Sequence, residues 1–324
     1  MYDVCALGEL LIDFTPSGVN EQGINLFGQN PGGSAANMLA MITKLGGRTA
    51  FIGKVGDDEF GRFLEKVLKD AGVDSFGLVK DCDCLTTLAI VHLNESGERS
   101  FSFYRREGAD LMLIWKEVKK EIIDTSRVFH FSSVGLSGQP CRDTIREAVR
   151  YAKLKEKIIS YDPNYRSFLW PDEAEAKTEI RKFLGSADIL KVSEEEMIFL
   201  TGETDLEKGA YLLAEKGPAI VFVSLGHKGA YFRCADGTGY IPAFNVNTID
   251  TTGAGDAFLG SIHYRLRNKN LQEIRRISRH ELADIVEFAN AAGSLTTTEK
   301  GAIPALPALD KIEKCLEERK IHRA

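Results

Sequence analysis

The chain has 324 residues, 44% of them hydrophobic, and a formal net charge of −6. That apolar content can bury a large core, as one big domain or two small ones. The acidic balance, with no basic tract or stripe, argues against nucleic acid as a partner, and no apolar run approaches the roughly 18 residues needed to span a bilayer. The start at Met1-Tyr2-Asp3 lacks a basic stretch, so no signal peptide is expected. The six cysteines show no framework spacing and Cys82-x-Cys84 has no second pair or nearby histidines. Free thiols in a reducing cytoplasm are therefore expected, without zinc.

Short apolar runs alternate with amphipathic stretches along most of the sequence. Val4 to Leu7 reads as a buried strand, Asn37 to Leu45 as a helix closed by Gly46, and Ala50 to Val55 as a strand. Asp57 is then expected to cap a helix whose apolar residues Phe60, Phe63, Leu64, Val67 and Leu68 have helical spacing, ended by Gly72. Val128–Phe131, Ile158–Tyr161, Ile189–Val192 and Ala219–Val223 are further strands, interleaved with helices at Thr144–Leu154 and around Tyr211–Ala214. Alternation of this kind predicts a mostly parallel sheet covered on both faces, with ligands beyond the carboxyl ends of its strands. Leu10 to Phe14, followed by a loop rich in Gly and Asn, and the runs Thr86–Leu93 and Ser100–Tyr104 joined by a turn at Asn94–Glu98 break the rhythm. They predict a small projecting sheet that covers the site and excludes water.

The chemistry concentrates in Asp250-Thr251-Thr252-Gly253-Ala254-Gly255-Asp256-Ala257-Phe258. Small residues let the backbone turn tightly ahead of a helix. The unpaired amides and positive dipole end of that helix form an anion site, with phosphate the usual guest. A carboxylate at Asp256 would repel phosphate, but it suits a base for a hydroxyl that attacks phosphorus, which points to phosphoryl transfer to an alcohol. The competing reading is a glycine turn with Asp as a helix cap.

Other clusters carry two readings each. Pro31 to Asn37 is a strand–helix connection or a contact for polyol hydroxyls, and Gly53 to Gly61 reads as tight packing ahead of a helix. Asp162 to Arg166 lies at a strand end, as an Asp-Pro turn or a site for phosphate or sugar. Ser193-Glu194-Glu195-Glu196 is a capping box, and one glutamate could also orient the waters of Mg²⁺. Ser224, Gly226 and Gly229 flank a turn that could hold ribose or nucleotide phosphates, with His227 read as a turn residue.

Taken together these motifs resemble the ribokinase-like (PfkB) carbohydrate kinases, most closely their fructokinase branch. The resemblance rests on Asp250–Phe258, Gly32–Asn37, Gly53–Gly61, Phe103–Leu111, Ser160–Arg166 and Gly301–Pro307. It implies an α/β three-layer sandwich over residues 1–320 as a single domain. A mostly parallel central sheet of about eight strands would carry a small β-lid from about 9–35 and 84–112, a lid that often mediates homodimers. It implies Asp256 as base, with the amides of Gly253, Ala254, Gly255 and Asp256 as anion hole, and sugar contacts at Asp13, Gly32, Gly33, Asn37, Arg105 and Arg166. ATP contacts are implied at Lys191, Ser224, Gly226, Gly229, Asn290 and Ser294, with adenine between the segment after Val246 and the helix near Asn290–Ser294. Mg²⁺ is implied at Glu196 through water, and K⁺ at Asp250, Thr252 and Gly301. Two positions depart from the family: Ser193 stands where an asparagine is usual, and Ala305 where ribokinases tend to have serine. The same residues leave another sugar or sugar acid, such as ribose or 2-keto-3-deoxygluconate, and a non-catalytic sugar-binding regulator as alternatives to fructose phosphorylation.

Overall fold

The computed structural model describes residues 1–93 and 99–323; the turn expected at Asn94–Glu98 lies outside the described residues. In chain order the strands are β1 (Tyr2–Leu7), β2 (Leu11–Val19), β3 (Asn25–Gly32), β4 (Thr49–Gly56), β5 (Asp74–Asp81), β6 (Leu88–Leu93), β7 (Arg99–Tyr104), β8 (Ser126–Ser132), β9 (Ile158–Asp162), β10 (Ile189–Ser193), β11 (Ile220–Ser224), β12 (Gly229–Cys234) and β13 (Gly237–Pro242). The α-helices are α1 (Ser34–Lys44), α2 (Glu59–Asp70), α3 (Lys120–Asp124), α4 (Cys141–Leu154), α5 (Glu173–Leu184), α6 (Glu194–Thr201), α7 (Leu206–Ala214), α8 (Ala254–Leu266), α9 (Leu271–Arg275), α10 (Arg279–Thr296) and α11 (Leu309–Arg323).

Nine strands form the large sheet in the order β13-β12-β11-β10-β9-β8-β1-β4-β5, one more than the resemblance implied. From β11 to β5 every pairing is parallel, and β12 and β13 add an antiparallel edge. The parallel strands are near-continuous apolar runs because both faces are covered. One face buries α1, α8 and α10 against Val4, Val128, Ile158 and Ile189. The other buries α4, α5 and α7 against Phe129, Phe131, Tyr161 and Leu190. No helix among the described residues is long and apolar enough to cross a membrane, and the six cysteines are free.

The second sheet has the order β3-β2-β6-β7: two antiparallel pairs joined by a parallel pairing of β2 with β6. The extended piece expected at Leu10–Phe14 runs on to Val19, and the Gly/Asn-rich stretch after it is itself strand β3 rather than loop. Asn30 explains part of this: its amide donates to Thr15 Oγ1 across the pair at 2.8 Å, a tie that hydrophobic alternation does not reveal. The cap of α2 also differs from expectation. Asp58, in extended conformation, accepts from the Gly61 amide at 2.7 Å, while Asp57 pairs with Arg62. Asp58 also accepts from the Thr86 amide at 2.8 Å and the Thr86 hydroxyl at 2.7 Å, tying the start of α2 to the entry of β6.

Candidate active site

A cavity of about 990 Å³ opens at the carboxyl ends of the parallel strands and runs under the small sheet. Its wall carries Asp13, Gly33, Asn37, Arg166, Lys191, Glu196, Asp250, Thr252, Gly253, Gly255, Asp256 and Gly301 of the expected site residues. They come from both sheets and from distant parts of the chain, as the topology requires.

The loop turns tightly ahead of a helix. Gly253 is the N-cap of α8 in the left-handed region, with φ 77°, and a Cβ there would run into Ala302. Both facts call for glycine. The first helical bond runs from the Ala257 amide to the Gly253 carbonyl at 2.8 Å. Gly255 and Asp256 therefore present amides without intrahelical acceptors to the cavity, while the Ala254 amide turns back to the Thr251 carbonyl at 3.3 Å. Asp250 clamps the loop from behind. One carboxylate oxygen accepts from the Thr252 amide (3.0 Å) and hydroxyl (2.7 Å), the other from the Gly301 amide (3.1 Å).

Asp256 stands one turn into α8, enclosed by protein except where it meets the cavity. Asn37 of α1 donates to its Oδ2 at 2.8 Å, and the Asn37 Oδ1 has no partner among the described residues. Burial pushes the Asp256 carboxyl up to about 7; the Asn37 hydrogen bond and the charges of Lys191 and Arg166 restrain the rise, and Asp162 adds to it. Such a carboxylate can exchange a proton near neutral pH. Asp13 on β2 is likewise pushed up to about 6 by burial and by Glu9, with Arg166 opposing. Gly32 lets the Asp13 carboxylate lie against the β3 backbone, since a side chain would occupy its place.

Lys191, in the middle of β10, is buried and donates to Asp162 Oδ2 at 2.9 Å. Burial alone would favour loss of its proton, but Asp162 and Glu196 outweigh it and hold the ammonium above its ordinary range. Its Nζ lies beside Gly255, where a Cβ would come to 3.4 Å from it. Glu196 completes a capping box: one oxygen accepts from the Ser193 amide at 2.7 Å, and the Glu196 amide donates to Ser193 Oγ at 3.1 Å. Its other oxygen accepts from the Tyr165 amide at 2.6 Å. Its carboxyl is nonetheless raised, by burial first and by Asp162 second.

Several expected contacts do not reach the cavity. Arg105 is buried with its guanidinium on Asp110, on Ser137 Oγ (2.8 Å) and on the Val134 carbonyl (3.2 Å). Its fork is used inside the protein, so it supports the wall behind the site rather than facing a sugar. Ser224 bonds the Val192 carbonyl at 3.3 Å, and Gly229 packs on the backbone at Ile241–Ala243; these two and Gly226 also lie off the cavity wall. Asn290 donates to the Ile241 carbonyl at 2.8 Å and Ser294 accepts from the Phe244 amide at 3.2 Å, so both order the chain that leads from β13 toward the loop.

Glu9 was not anticipated. It is buried just past β1, lines the cavity, and accepts from the Ser34 amide (2.8 Å) and hydroxyl (3.0 Å) and from Ser132 Oγ (3.3 Å). Its position after Gly8 at a central strand end was the available signal.

Comparison with known proteins accounts for this arrangement. The pfkB family carbohydrate kinase model matches residues 1–309. The chain belongs to this family. It is 42% identical to fructokinase-1 of Zea mays over 320 residues, 97% of this chain and 98% of the relative. Among solved structures, the fructokinase of Xylella fastidiosa with bound ATP superposes with a TM-score of 0.91 at 29% identity, covering 99% of this chain and all of that one. A double variant of Vibrio cholerae O395 fructokinase, with fructose, ADP and potassium ion, gives a TM-score of 0.85 at 34% identity, covering 97% and 98%. As a member of this family the protein is a carbohydrate kinase.

Proposed function

We propose that the protein transfers the γ-phosphoryl group of ATP to the C6 hydroxyl of D-fructose. The observation that carries this reading is the Asp256 carboxylate, raised to about 7 and held by Asn37, beside the open amides at the start of α8. The fructokinase names of relatives at 42% identity over nearly the whole chain support fructose as acceptor.

The sugar lies under the small sheet, between Asp13, Gly33, Asn37 and Arg166. Asn37 holds the Asp256 carboxylate through its amide, and Asp256 takes the proton from the attacking hydroxyl. The open Gly255 and Asp256 amides, with Gly253 beside them, donate to the equatorial phosphoryl oxygens, and Lys191 adds positive charge beside Gly255. The transition state for such transfer is loose, so positioning supplies much of the rate.

The donors fit a magnesium ion that arrives with the nucleotide. No group of three His, Cys, Asp or Glu suited to a metal occurs among the described residues, and both Glu196 oxygens already accept amides. Glu196 would therefore reach the ion through water. When bound, magnesium neutralises phosphate charge. Potassium would lie beside Asp250, with the Thr252 and Gly301 carbonyls as the further ligands that the family resemblance implies. The small sheet acts as lid, and its exposed Val19, Ile24, Leu26 and Phe27 support a homodimer through that face; light scattering would test it. A cytoplasmic location accords with the free thiols.

ADP release with MgATP over fructose, ribose and 2-keto-3-deoxygluconate tests the reading. Fructose should give the highest kcat/KM, and a tenfold preference for another acceptor would reassign the substrate. Binding of sugar without ADP from any of them would favour a regulator.

A further inference from the structure

The face of the large sheet beneath α8 changes character toward its carboxyl edge. Val128 and Ile158 pair across β8 and β9 and belong to the apolar core. One rung further, on the same face, His130 pairs with Ser160. The rung after that holds Ser132 opposite Asp162, with Lys191 of β10 bonded to Asp162. The side chains thus pass from apolar to neutral polar to charged over two rungs, about 13 Å.

Helix α8 lies on this graded face with its N-terminus at the charged end. His263 follows Asp256 by seven residues, two turns or about 10 Å along the helix. His263 Nε2 is 2.8 Å from Ser160 Oγ, and His130 Nδ1 is 2.9 Å from the same oxygen. All three side chains are buried: His263 is 1% exposed, His130 2% and Ser160 0%. One hydroxyl bridges two rings, donating to one and accepting from the other. Burial holds both imidazoles neutral, each pulled down to about 3.

Nothing in the reaction uses this bridge, and an apolar trio would bury at lower cost. His263 Nδ1 is left without a partner among the described residues, which adds to the expense. The other α8 contacts are apolar: Ala257, Leu259 and Ile262 pack in the core, and Gly260 lies against Met38 and Met41 of α1. Apolar contacts of this kind are non-directional and carry no bond that fixes position along the helix axis. Among the described residues two side-chain hydrogen bonds fix the buried face of α8 to its neighbours, Asn37–Asp256 at its start and His263–Ser160 two turns on. A buried polar contact in an apolar seam sets register at some cost in stability.

We propose that His130, Ser160 and His263 are positioning residues that set the axial register of α8, and so place Asp256 and the α8 amides against the Lys191–Asp162 pair. This rests on the reading of Asp256 and those amides as the reaction centre. The register matters because a misplacement of about 1 Å can cost roughly 100-fold in rate.

The test is a double-mutant cycle of Ser160→Ala and His263→Leu in the full chain, assayed with fructose and MgATP. Turnover is normalised to the folded fraction, well below the unfolding midpoint. Each single variant should lose roughly 10- to 100-fold in kcat, with both KM values within about threefold of the parent. The double variant should lose no more than the worse single, because the bridge is one unit. A kcat per folded molecule within about twofold of the parent in the single variants, however low the melting temperature, would make the bridge a structural filler and overturn the proposal. Multiplying losses would overturn the shared role. Should Ser160→Ala not fold, Ser160→Cys keeps the volume with a weaker hydrogen bond; an intermediate kcat supports register control and a full kcat refutes it. Asp256→Asn separates the two levels, since retained turnover there sinks the reaction-centre reading without touching the cycle.

Discussion

Asp256→Asn should move activity and stability in opposite directions. The parent carboxyl goes from an ordinary 3.8 to about 7 in the fold, chiefly through burial. At about 1.4 kcal/mol per pH unit, the ionised form is disfavoured by roughly 4 kcal/mol. The carboxylate still meets the water of the cavity, so about 1–3 kcal/mol is the realistic share. The sign follows from proton counting. Between about pH 4 and 7 the folded state holds a proton that the unfolded chain has released, so this residue costs stability progressively as pH rises through that window. Below pH 4 the cost vanishes, and above about 7 it is complete. Asparagine keeps the shape and can still accept from Asn37, but it carries no charge. The variant should therefore be more stable than the parent by about 1–3 kcal/mol at pH 8 and equal to it near pH 3.5. Its kcat should fall by roughly 10²–10⁴ with little change in KM. Urea unfolding at the two pH values and steady-state kinetics measure both. Near-parental turnover would remove Asp256 as base, and an unchanged or lower stability at pH 8 would refute its costly burial.

Lys191→Met should cost about 3–5 kcal/mol by leaving Asp162 buried and unpaired. It should also move the acidic limb of kcat/KM to higher pH, because a positive charge leaves the surroundings of Asp256; an unmoved limb would uncouple the two. Arg105→Lys keeps the charge but loses the fork on Asp110, Ser137 and Val134. Its melting temperature should fall while KM for fructose stays within about twofold, and a raised KM at parental stability would restore the sugar contact expected from the sequence. Gly253→Ala forces a side chain to φ 77° against Ala302, at about 1–2 kcal/mol for the backbone alone. Its kcat should fall well beyond that loss in stability, and normal turnover would show that the loop tolerates a different path.

What was legible in the sequence was what is local. Small residues ahead of an apolar helix specify the α8 loop, and Ser193 with Glu196 specifies a capping box, since both depend on neighbours within a few residues. The parallel sheet followed from apolar runs between amphipathic stretches. Partners far apart in the chain were not legible. Asn37 reaches Asp256 across 219 positions, and Arg105 spends its guanidinium on Ser137 and the Val134 carbonyl. Asp110, five residues on and bonded to the same guanidinium, was the one local sign of a buried arginine. Strand β3 was hidden for a related reason. Its exposed, Asn- and Gly-rich residues have no alternating pattern, and pairing with β2 supplies the order that composition withholds.

The division of the site between the two sheets has a mechanical consequence. Asp256, Asn37, Lys191 and Asp162 stand on the large sheet or on helices packed against it. The proposed base and anion loop are thus assembled without the small sheet. Asp13 rides on β2, and Phe103 of β7 stacks on Phe168 at 4.8 Å where the small sheet meets the 3₁₀ turn after Arg166. A movement of the small sheet would change the proposed sugar side of the cavity, at Asp13, and leave the α8 side in place. Removing water from that side would raise the cost of ionised Asp13 and Asp256 together, because burial dominates both. Lys191 first and Arg166 after it favour ionised Asp256, and Arg166, exposed on the cavity wall, also lowers the Asp13 carboxyl, so the two cations oppose the effect as the cavity dries.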